Sequence, residues 1–232
     1  MKPRLLDLFC GAGGATRGYQ LAGFYVVGVD VNPQPDYCGD EFFQEDACDL
    51  LRLCVGTTDW FASFDAIHAS PPCQLFSRAG RLRDAQGGQA STVDLLTPTL
   101  ARLADVRVPW VVENVPGAPG MLPCVQLCGS SFGLAVQRHR LFKSNVEIFG
   151  SPCDHSRFPL DEKSGKPRPV GVYHVMGDSI PSGGRTARTL EEGQTAMGID
   201  WMPWASLKEA IPPAYTQHLG KQLLAHLAAV SQ

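Results

Sequence analysis

The segment from Leu5 to Gly14, LLDLFCGAGG, restricts the fold more than any other part of the chain. It is an apolar run that passes directly into a glycine-rich turn. An amphipathic stretch follows over Ala15 to Ala22, and then comes a second apolar run, Tyr25 to Val29, ending in Asp30. The order strand, glycine-rich turn, helix, strand with a terminal acid predicts the opening unit of a nucleotide-binding α/β fold.

The same alternation continues along the chain. Strands are predicted over Ala66 to Ala69 and over Trp110 to Val112, with a helix over Thr92 to Leu103 between them. A last helix is predicted over Gln217 to Val230, with its apolar face formed by Leu219, Leu223, Leu227 and Val230. Alternating strands and helices predict a mostly parallel, doubly wound sheet.

Composition excludes several classes of protein. The 232 residues are 44% hydrophobic and 19% charged, as in ordinary folded proteins, and no apolar run approaches the roughly 20 residues of a membrane helix. The first residues lack the apolar stretch of a signal peptide, so we expect a cytoplasmic protein with reduced thiols among its 8 cysteines. A net charge of -3 argues against a strongly basic nucleic-acid binder but not against local basic surfaces.

The glycine-rich turn is a candidate ligand site. Its glycines allow close approach of the backbone to a ligand, and Asp30 at the end of the second strand is placed to bind ribose hydroxyls. Asp46 follows the expected third strand and could accept from an adenine amino group. The spacing differs from the G-x-G-x-x-G of NAD enzymes, which favours another adenosine-containing ligand. The alternative is a turn that serves only helix–strand packing.

A second candidate is Cys73, which follows Pro71 and Pro72 at the end of a predicted strand. Two prolines stiffen the backbone there, as a positioned nucleophile requires, whereas a buried structural cysteine is the alternative. Glu113 is placed at the end of the next strand, where burial would keep it protonated for donation to a ring nitrogen, and a surface acid at the start of a loop is the alternative. Arg138 and Arg140 could bind a phosphate or a base carbonyl, or could be solvated.

Together these segments resemble the DNA (cytosine-5) methyltransferase family, and in particular its compact phage and prophage members. The matching residues occur in the family's order, over most of residues 1 to 142: Asp7-Leu8-Phe9-Cys10-Gly11-Ala12-Gly13-Gly14, Asp30, Asp46, Pro71-Pro72-Cys73-Gln74, Glu113-Asn114-Val115 and Arg138-His139-Arg140. A weaker match covers residues 188 to 222.

The resemblance implies a Rossmann-like class I methyltransferase fold that uses S-adenosylmethionine. It implies that Cys73 adds to C6 of a flipped-out cytosine in DNA, that Glu113 engages N3, and that Asn114 orients the Pro-Pro-Cys loop. Arg140, together with Arg138, would hold the cytosine carbonyl or a flanking phosphate. The implied cofactor-binding residues are Phe9, Gly11, Gly13, Gly14, Asp30, Asp46 and Pro71.

The resemblance also implies how the chain is divided and what it binds. Residues 1–142 and 188–232 would form the catalytic domain, and the short segment 143–187 would be the target-recognition insert. DNA is the expected partner of a chain that acts as a monomer, with a partner protein left open. A loop after Cys73 would contact phosphates through Arg78, Arg81 and Arg83, and a mobile, merely solvated loop is the alternative. A tRNA methyltransferase and a non-catalytic DNA-binding relative are the alternatives.

Two further features bear on the chemistry. Lys208 and Glu209 occupy the place of the family's closing Gly-Asn, and a lysine there would favour a methyl donor that carries an extra anion. Four potential zinc ligands are also present: Cys124, Cys128, Cys153 and His155. Because Cys-x-His is not a standard pair spacing and Cys128 lies in a stretch that resembles a structural segment, the sequence predicts no metal site.

Overall fold

The computed structural model describes residues 1–53, 63–77, 93–155, 173–175 and 185–230. The predicted phosphate contacts Arg78, Arg81 and Arg83 lie outside these residues. The strands of the described part are β1 Arg4–Leu8, β2 Tyr25–Asp30, β3 Glu41–Gln44, β4 Ala66–Ala69, β5 Trp110–Asn114, β6 Val125–Leu127, β7 Arg140–Ser144, β8 Tyr173–His174 and β9 Arg185–Thr186.

The helices of the described part alternate with these strands in the first half of the chain and close the fold in the second half. They are α1 Gly14–Ala22, α2 Ala47–Leu53, α3 Leu96–Leu103, α4 Leu190–Met197, α5 Trp204–Leu207 and α6 Pro213–Val230, with a 3-10 helix at Gly129–Phe132. None of these helices combines the length and the apolar character that a membrane span needs.

One sheet contains β1 to β7 in the order β3-β2-β1-β4-β5-β7-β6. The pairs β2–β3, β1–β2, β1–β4 and β4–β5 are parallel, and β7 runs antiparallel to both β5 and β6. The mostly parallel sheet predicted from the sequence is therefore confirmed. Strand order reverses at β1, and ligands of open α/β sheets bind at the carboxyl ends of the strands beside such a reversal.

Both faces of the sheet are covered, which explains why its central strands are apolar without interruption. On one face, Leu6, Val29 and Ile67 pack with Leu51 of α2 and Leu96 of α3. On the other face, alternate strand residues pack with α1 and α6, including Leu5, Val26, Val111, Tyr19, Tyr215 and Leu219. The sheet is therefore the doubly wound core that positions the strand ends.

The final helix begins four residues before the predicted start, at Pro213, and ends at Val230 as predicted. Leu219 and Leu223 of its predicted apolar face are buried, but Val230 is 65% exposed. The prediction for Val230 was wrong because the last turn of the helix extends beyond the layer that covers the sheet.

The predicted boundary between catalytic domain and insert lies inside a strand, since β7 continues to Ser144. The described parts of the insert return to the core: Tyr173 forms a bridge to Val136, and Val175 lies in a buried apolar cluster with Ala196 and Met197 of α4. The insert is thus anchored on the segment that precedes β7.

Contact between α1 and α6 depends on Gly18. A Cβ added there would lie 2.0 Å from Thr216 Oγ1 and 2.1 Å from the Pro213 carbonyl oxygen. We expect Gly18→Ala to lower the free energy of unfolding by about 1–3 kcal/mol through overpacking, although helix propensity alone favours alanine by about 1 kcal/mol. Urea unfolding measures the change.

The matched control is Leu21→Ala on the same helix, since Leu21 is 57% exposed and should change stability by no more than about 0.5 kcal/mol. A Gly18→Ala protein as stable as the wild type would contradict the packing described for α1 and α6.

Candidate active site

The candidate catalytic side chains meet at the carboxyl ends of β4 and β5. Cys73 follows β4 after Ser70, Pro71 and Pro72, whereas Glu113 and Asn114 are the last two residues of β5. Arg140 begins the antiparallel strand β7, whose next residue pairs with Asn114. Topology therefore brings together groups that lie up to 67 positions apart in the sequence.

Glu113 and Arg140 form a buried ion pair. Arg140 Nε lies 2.8 Å from Glu113 Oε1, and the two side chains are only 13% and 6% exposed. The N–H is not aimed along this line, so within the described residues Glu113 Oε1 accepts no directed hydrogen bond. Burial raises the pKa of Glu113, and Arg140 and Arg138 oppose that rise. The carboxyl group can therefore take up a proton while it still has hydrogen-bonding capacity.

Cys73 is half-buried beside this pair. Burial raises the pKa of its thiol, the positive charge of Arg140 lowers it, and the charge of Glu113 raises it. Backbone N–H groups of Phe76 and Ser77 donate to the Cys73 carbonyl oxygen, at 3.0 and 2.9 Å, which forms a tight turn after the cysteine. The thiol thus lies within the field of both charged groups on a constrained backbone.

Asn114 connects the two strand ends. Its side-chain Nδ2 donates to the Pro71 carbonyl oxygen at 3.1 Å, and its Oδ1 accepts from the Val115 N–H at 2.9 Å. Asn114 is fully buried. Since a buried amide bonded at both ends holds its partners in place, Asn114 restrains the Pro-Pro-Cys loop relative to β5.

Arg138 has different surroundings from Arg140. Its guanidinium donates to the carbonyl oxygens of Val175, at 3.0 Å, and Lys208, at 2.6 Å, and the side chain is buried. Burial and the neighbouring charge of Arg140 lower its pKa to about 9. Arg138 thus joins the insert to the closing segment, and among the described residues its Nε has no hydrogen-bond partner.

The glycine-rich turn lies at the end of β1, next to the end of β4. Gly11 N–H donates to Asp30 Oδ2 at 3.0 Å, and Asp30 Oδ1 accepts from the Asn32 N–H at 2.9 Å. Phe9 and Gly11 have positive φ angles of 58° and 50°. A Cβ at Gly11 would meet nothing within 4 Å, whereas one at Gly13 would lie 2.7 Å from Cys38 Sγ.

Gly14 and Asp46, which were also predicted to contact the cofactor, have structural roles. Gly14 serves packing, since a Cβ there would lie 2.6 Å from the Ile211 carbonyl oxygen. Asp46 is exposed and accepts from the backbone N–H groups of Cys48, at 2.7 Å, and Asp49, at 3.2 Å, at the start of α2. Asp46 therefore caps a helix, and its second oxygen is the one that could reach a ligand.

Sequence reasoning missed two buried polar groups behind this edge. His68 Nδ1 lies 3.0 Å from the Tyr19 hydroxyl, and His68 Nε2 lies 2.7 Å from Ser70 Oγ, which begins the Pro-Pro-Cys loop. Burial lowers the pKa of His68 to about 3, so the ring is neutral. A histidine in an otherwise apolar strand was the only sequence sign of this connection.

The second missed group is Asp7 in β1, whose Oδ2 accepts from the Thr16 hydroxyl. Burial raises the pKa of Asp7 to about 7, and the bond from Thr16 opposes that rise. A polar residue within the apolar run LLDLF was visible in the sequence, but its burial depends on α1 folding over β1.

Comparison with known proteins assigns the chain to a family. The profile described as "C-5 cytosine-specific DNA methylase" matches residues 3–121. The type II methyltransferases M.HgiDI and M.HgiGI of Herpetosiphon aurantiacus are each 30% identical over 122 residues, which is 50% of this chain. The match covers 38% of M.HgiDI and 92% of M.HgiGI, so the chain spans well under half the length of the former.

A solved structure described as a prophage-encoded DNA modification methyltransferase of E. coli superposes with a TM-score of 0.59. It is 14% identical, and the alignment covers 98% of this chain and 99% of that one. The fold is that of the class I S-adenosylmethionine-dependent methyltransferases. By its profile match and its relatives, the chain belongs to the family of C-5 cytosine-specific DNA methylases. The resemblance to this family, which includes prophage-encoded members, is thereby confirmed.

Stability should depend on pH through Asp7. Its pKa in the folded protein, about 7, exceeds the ordinary 3.8, so the native state binds more protons between these values and stability declines as pH rises. The side-chain oxygen of an asparagine at position 7 can still accept the hydrogen bond from Thr16. We therefore expect Asp7→Asn to remove a contribution to the free energy of unfolding that falls by about 1.4 kcal/mol per pH unit. Urea unfolding at about pH 5 and about pH 7 measures it.

Asp105→Asn, at an exposed position after α3, is the control and should keep the pH dependence of the wild type. The contribution of His68 has the opposite sign, because it is lost as pH falls below about 6.5, and it largely offsets that of Asp7 in the wild type over this pH range. The readout is therefore the stability of Asp7→Asn relative to the wild type, which should rise as pH rises. A difference that stays the same between about pH 5 and about pH 7 would contradict the assignment to Asp7.

Proposed function

We propose that this chain transfers a methyl group from S-adenosylmethionine to C5 of a flipped-out cytosine in DNA, through a covalent bond between Cys73 Sγ and C6. The observation that carries the proposal is the convergence of Cys73, Glu113 and Arg140 at one sheet edge, with Asn114 bonded to Pro71. A nucleophile, a proton donor and a fixed cation are the groups that addition to a pyrimidine ring requires.

The chemistry follows from the low nucleophilicity of cytosine C5. When Cys73 Sγ bonds to C6, the electron pair of the C5–C6 double bond moves into the ring and makes C5 nucleophilic. Glu113 donates a proton or hydrogen bond to N3, where negative charge would otherwise accumulate. After C5 is methylated, its proton is lost to a base and the Cys73–C6 bond breaks, which restores the free thiolate and an aromatic ring.

Arg140 has two effects in this scheme. Its charge stabilises the Cys73 thiolate, and its contact with Glu113 holds that carboxyl group in position. The guanidinium still has donors that could reach the cytosine carbonyl oxygen. Arg138, whose donors bind carbonyl oxygens of the chain itself, supports the site from behind and has a weaker claim to substrate contact.

The residues at the end of β1 fit S-adenosylmethionine. The open side of Gly11 leaves room for a ligand against the backbone, and the Asp30 carboxylate has free lone pairs for ribose hydroxyls. Phe9, Gly13, Pro71 and the second oxygen of Asp46 would complete the contacts. When bound, the donor supplies an electrophilic methyl group. The chain's own contribution is to hold it beside the end of β4, where Cys73 follows.

The DNA partner is proposed from the family and from the chemistry. Because C6 of a paired cytosine is hidden in the stacked duplex, the base must leave the helix to reach Cys73. Phosphate contacts by Arg78, Arg81 and Arg83 stay a prediction from the sequence. The insert is short, so the recognised sequence should also be short.

Trapping tests the proposal directly. With DNA that contains 5-fluorocytosine and with S-adenosylmethionine, we expect a complex that survives denaturation, since fluorine cannot leave C5 as a proton does. Cys73→Ala should form none, and Glu113→Gln should form it roughly 100-fold more slowly, the lower range for loss of a general acid. Denaturing electrophoresis and mass spectrometry measure the adduct.

Cys48→Ala, a half-buried cysteine in α2, is the control and should trap like the wild type. An adduct on 5-fluorocytosine in RNA alone would overturn the DNA assignment in favour of the RNA-modifying branch. The lack of any adduct, with DNA still bound, would overturn catalysis and identify a non-catalytic relative.

The pH dependence of trapping should report the Arg140 charge. Since Arg140 lowers the pKa of Cys73, Arg140→Gln should raise that pKa and move the rise in trapping rate to higher pH. The variant should therefore be slowest, relative to wild type, at neutral pH and recover partly in alkaline buffer. Arg102→Gln, exposed on α3, is the control. An unshifted profile for Arg140→Gln would contradict this role.

A further inference from the structure

Four soft or borderline ligand groups converge outside the catalytic edge. They are the side chains of Cys128, His139, Cys153 and His155, and their ligand atoms all lie within 4.8 Å of one another. Cys128 Sγ is 3.4 Å from His155 Nε2, and Cys153 Sγ is 3.6 Å from His139 Nε2. The chain supplies them from three places: the end of β6, the residue before β7, and the segment after β7.

The two sulfur–nitrogen distances match edges of a zinc tetrahedron. With Zn–S near 2.3 Å and Zn–N near 2.0–2.1 Å, a tetrahedral ion separates sulfur from nitrogen by about 3.6 Å and two sulfurs by about 3.8 Å. The two measured S···N distances agree with that edge length within about 0.2 Å. Paired hydrogen bonds would explain each of these two distances separately, but they do not require all four ligand atoms to lie within 4.8 Å of one another.

We propose that Cys128, His139, Cys153 and His155 bind one Zn²⁺ ion. Two thiolates and two imidazoles are a ligand set that zinc takes in structural sites. Four protein ligands leave no open position for water or substrate, so the ion would stabilise structure and take no part in methyl transfer. The site does not depend on the function proposed above.

The segment that carries Cys153 and His155 is positioned independently of any metal. Ser131 Oγ donates to the carbonyl oxygens of Ser151, at 3.2 Å, and Pro152, at 2.9 Å. The Phe149 N–H donates to Gln222 Oε1 of α6 at 2.7 Å. These bonds hold the segment against the 3-10 helix that follows Cys128. The ligands are therefore arranged in advance, which lowers the entropy cost of binding.

From the sequence, which predicted no metal site, Cys124 was considered as the fourth ligand. The structure instead groups His139 with the other three. Cys124, the nearest candidate to Cys128 in the sequence, packs instead against the apolar cluster of the sheet. His139 takes its place, and it stands between two arginines in a segment that the family resemblance explained only through those arginines. His139 and Cys153 come close together only because β7 runs back beside β6. The spacing of these residues in the sequence does not show that pairing.

The location implies a consequence for the active site. His139 stands between Arg138 and Arg140, and its ligand partners lie where the chain leaves the sheet to enter the insert. A bound ion would tie the insert to the backbone that carries Arg140, whose side chain contacts Glu113 at 2.8 Å. Loss of zinc should therefore slow adduct formation without removing the nucleophile.

Metal content tests the site. The untagged chain is purified in reductant without chelator, and zinc is measured by plasma mass spectrometry. We expect about one zinc per chain, as for a closed four-ligand site. Replacement by Co²⁺ should produce the visible absorption of tetrahedral cobalt and a thiolate-to-cobalt charge-transfer band in the near ultraviolet.

Cys153→Ser and His155→Ala change exposed ligands, so both proteins should fold. We expect each substitution to lower zinc affinity by more than about tenfold, because a change in a residue that only contacts a metal ligand can already cost that much. Each variant should also lose the cobalt spectrum. Cys124→Ser is the matched control and should retain both. Cys73→Ala should also retain the metal while it loses trapping, which separates this proposal from the catalytic one.

Three results would overturn the proposal. One is a folded wild-type chain that takes up neither Zn²⁺ nor Co²⁺ at stoichiometric level. Another is a Cys124→Ser protein that loses metal as fully as Cys153→Ser. The third is a stable disulfide between Cys128 and Cys153, found by thiol counting and mass spectrometry of the chain as isolated from cells.

Discussion

Parallel pairing of β1 with both β2 and β4 is the constraint on which the rest of this structure depends. Because β1 has parallel neighbours on both sides, the connections leave in opposite directions and open a crevice at its carboxyl end. The glycine-rich turn follows β1, Asp30 ends β2, and Cys73 follows β4. Each of these three groups lies at the crevice because a strand of the sheet ends there, so no long loop is needed to bring it to the site.

The antiparallel strand β7 adds what the parallel part lacks. It returns along β5 and brings Arg140 to the end of that strand, where the guanidinium meets Glu113. In this low-dielectric position, burial alone would keep both Cys73 and Glu113 protonated. The charges of Arg140 and Arg138 oppose the effect of burial on the pKa of both groups.

The segment around β7 also connects the core to the insert. Arg138 binds carbonyl oxygens of Val175 and Lys208, and His139 joins the cluster with Cys128, Cys153 and His155. Three consecutive residues, 138 to 140, thus serve the insert, the proposed metal and the ion pair.

Local sequence by itself determined the alternation of strands and helices, the glycine-rich turn, and the motifs with Cys73, Glu113 and Arg140, because hydrophobic period and turn chemistry are properties of neighbouring residues. Only the tertiary structure decided that Glu113 pairs with Arg140, that Arg138 binds carbonyl oxygens, that Asp7 and His68 are buried, that Val230 is exposed, and that His139 replaces Cys124 among the soft ligands. Each of these features depends on contacts between segments that are distant in the sequence. Neither the spacing of residues nor the composition shows that β7 runs antiparallel to β5 and β6.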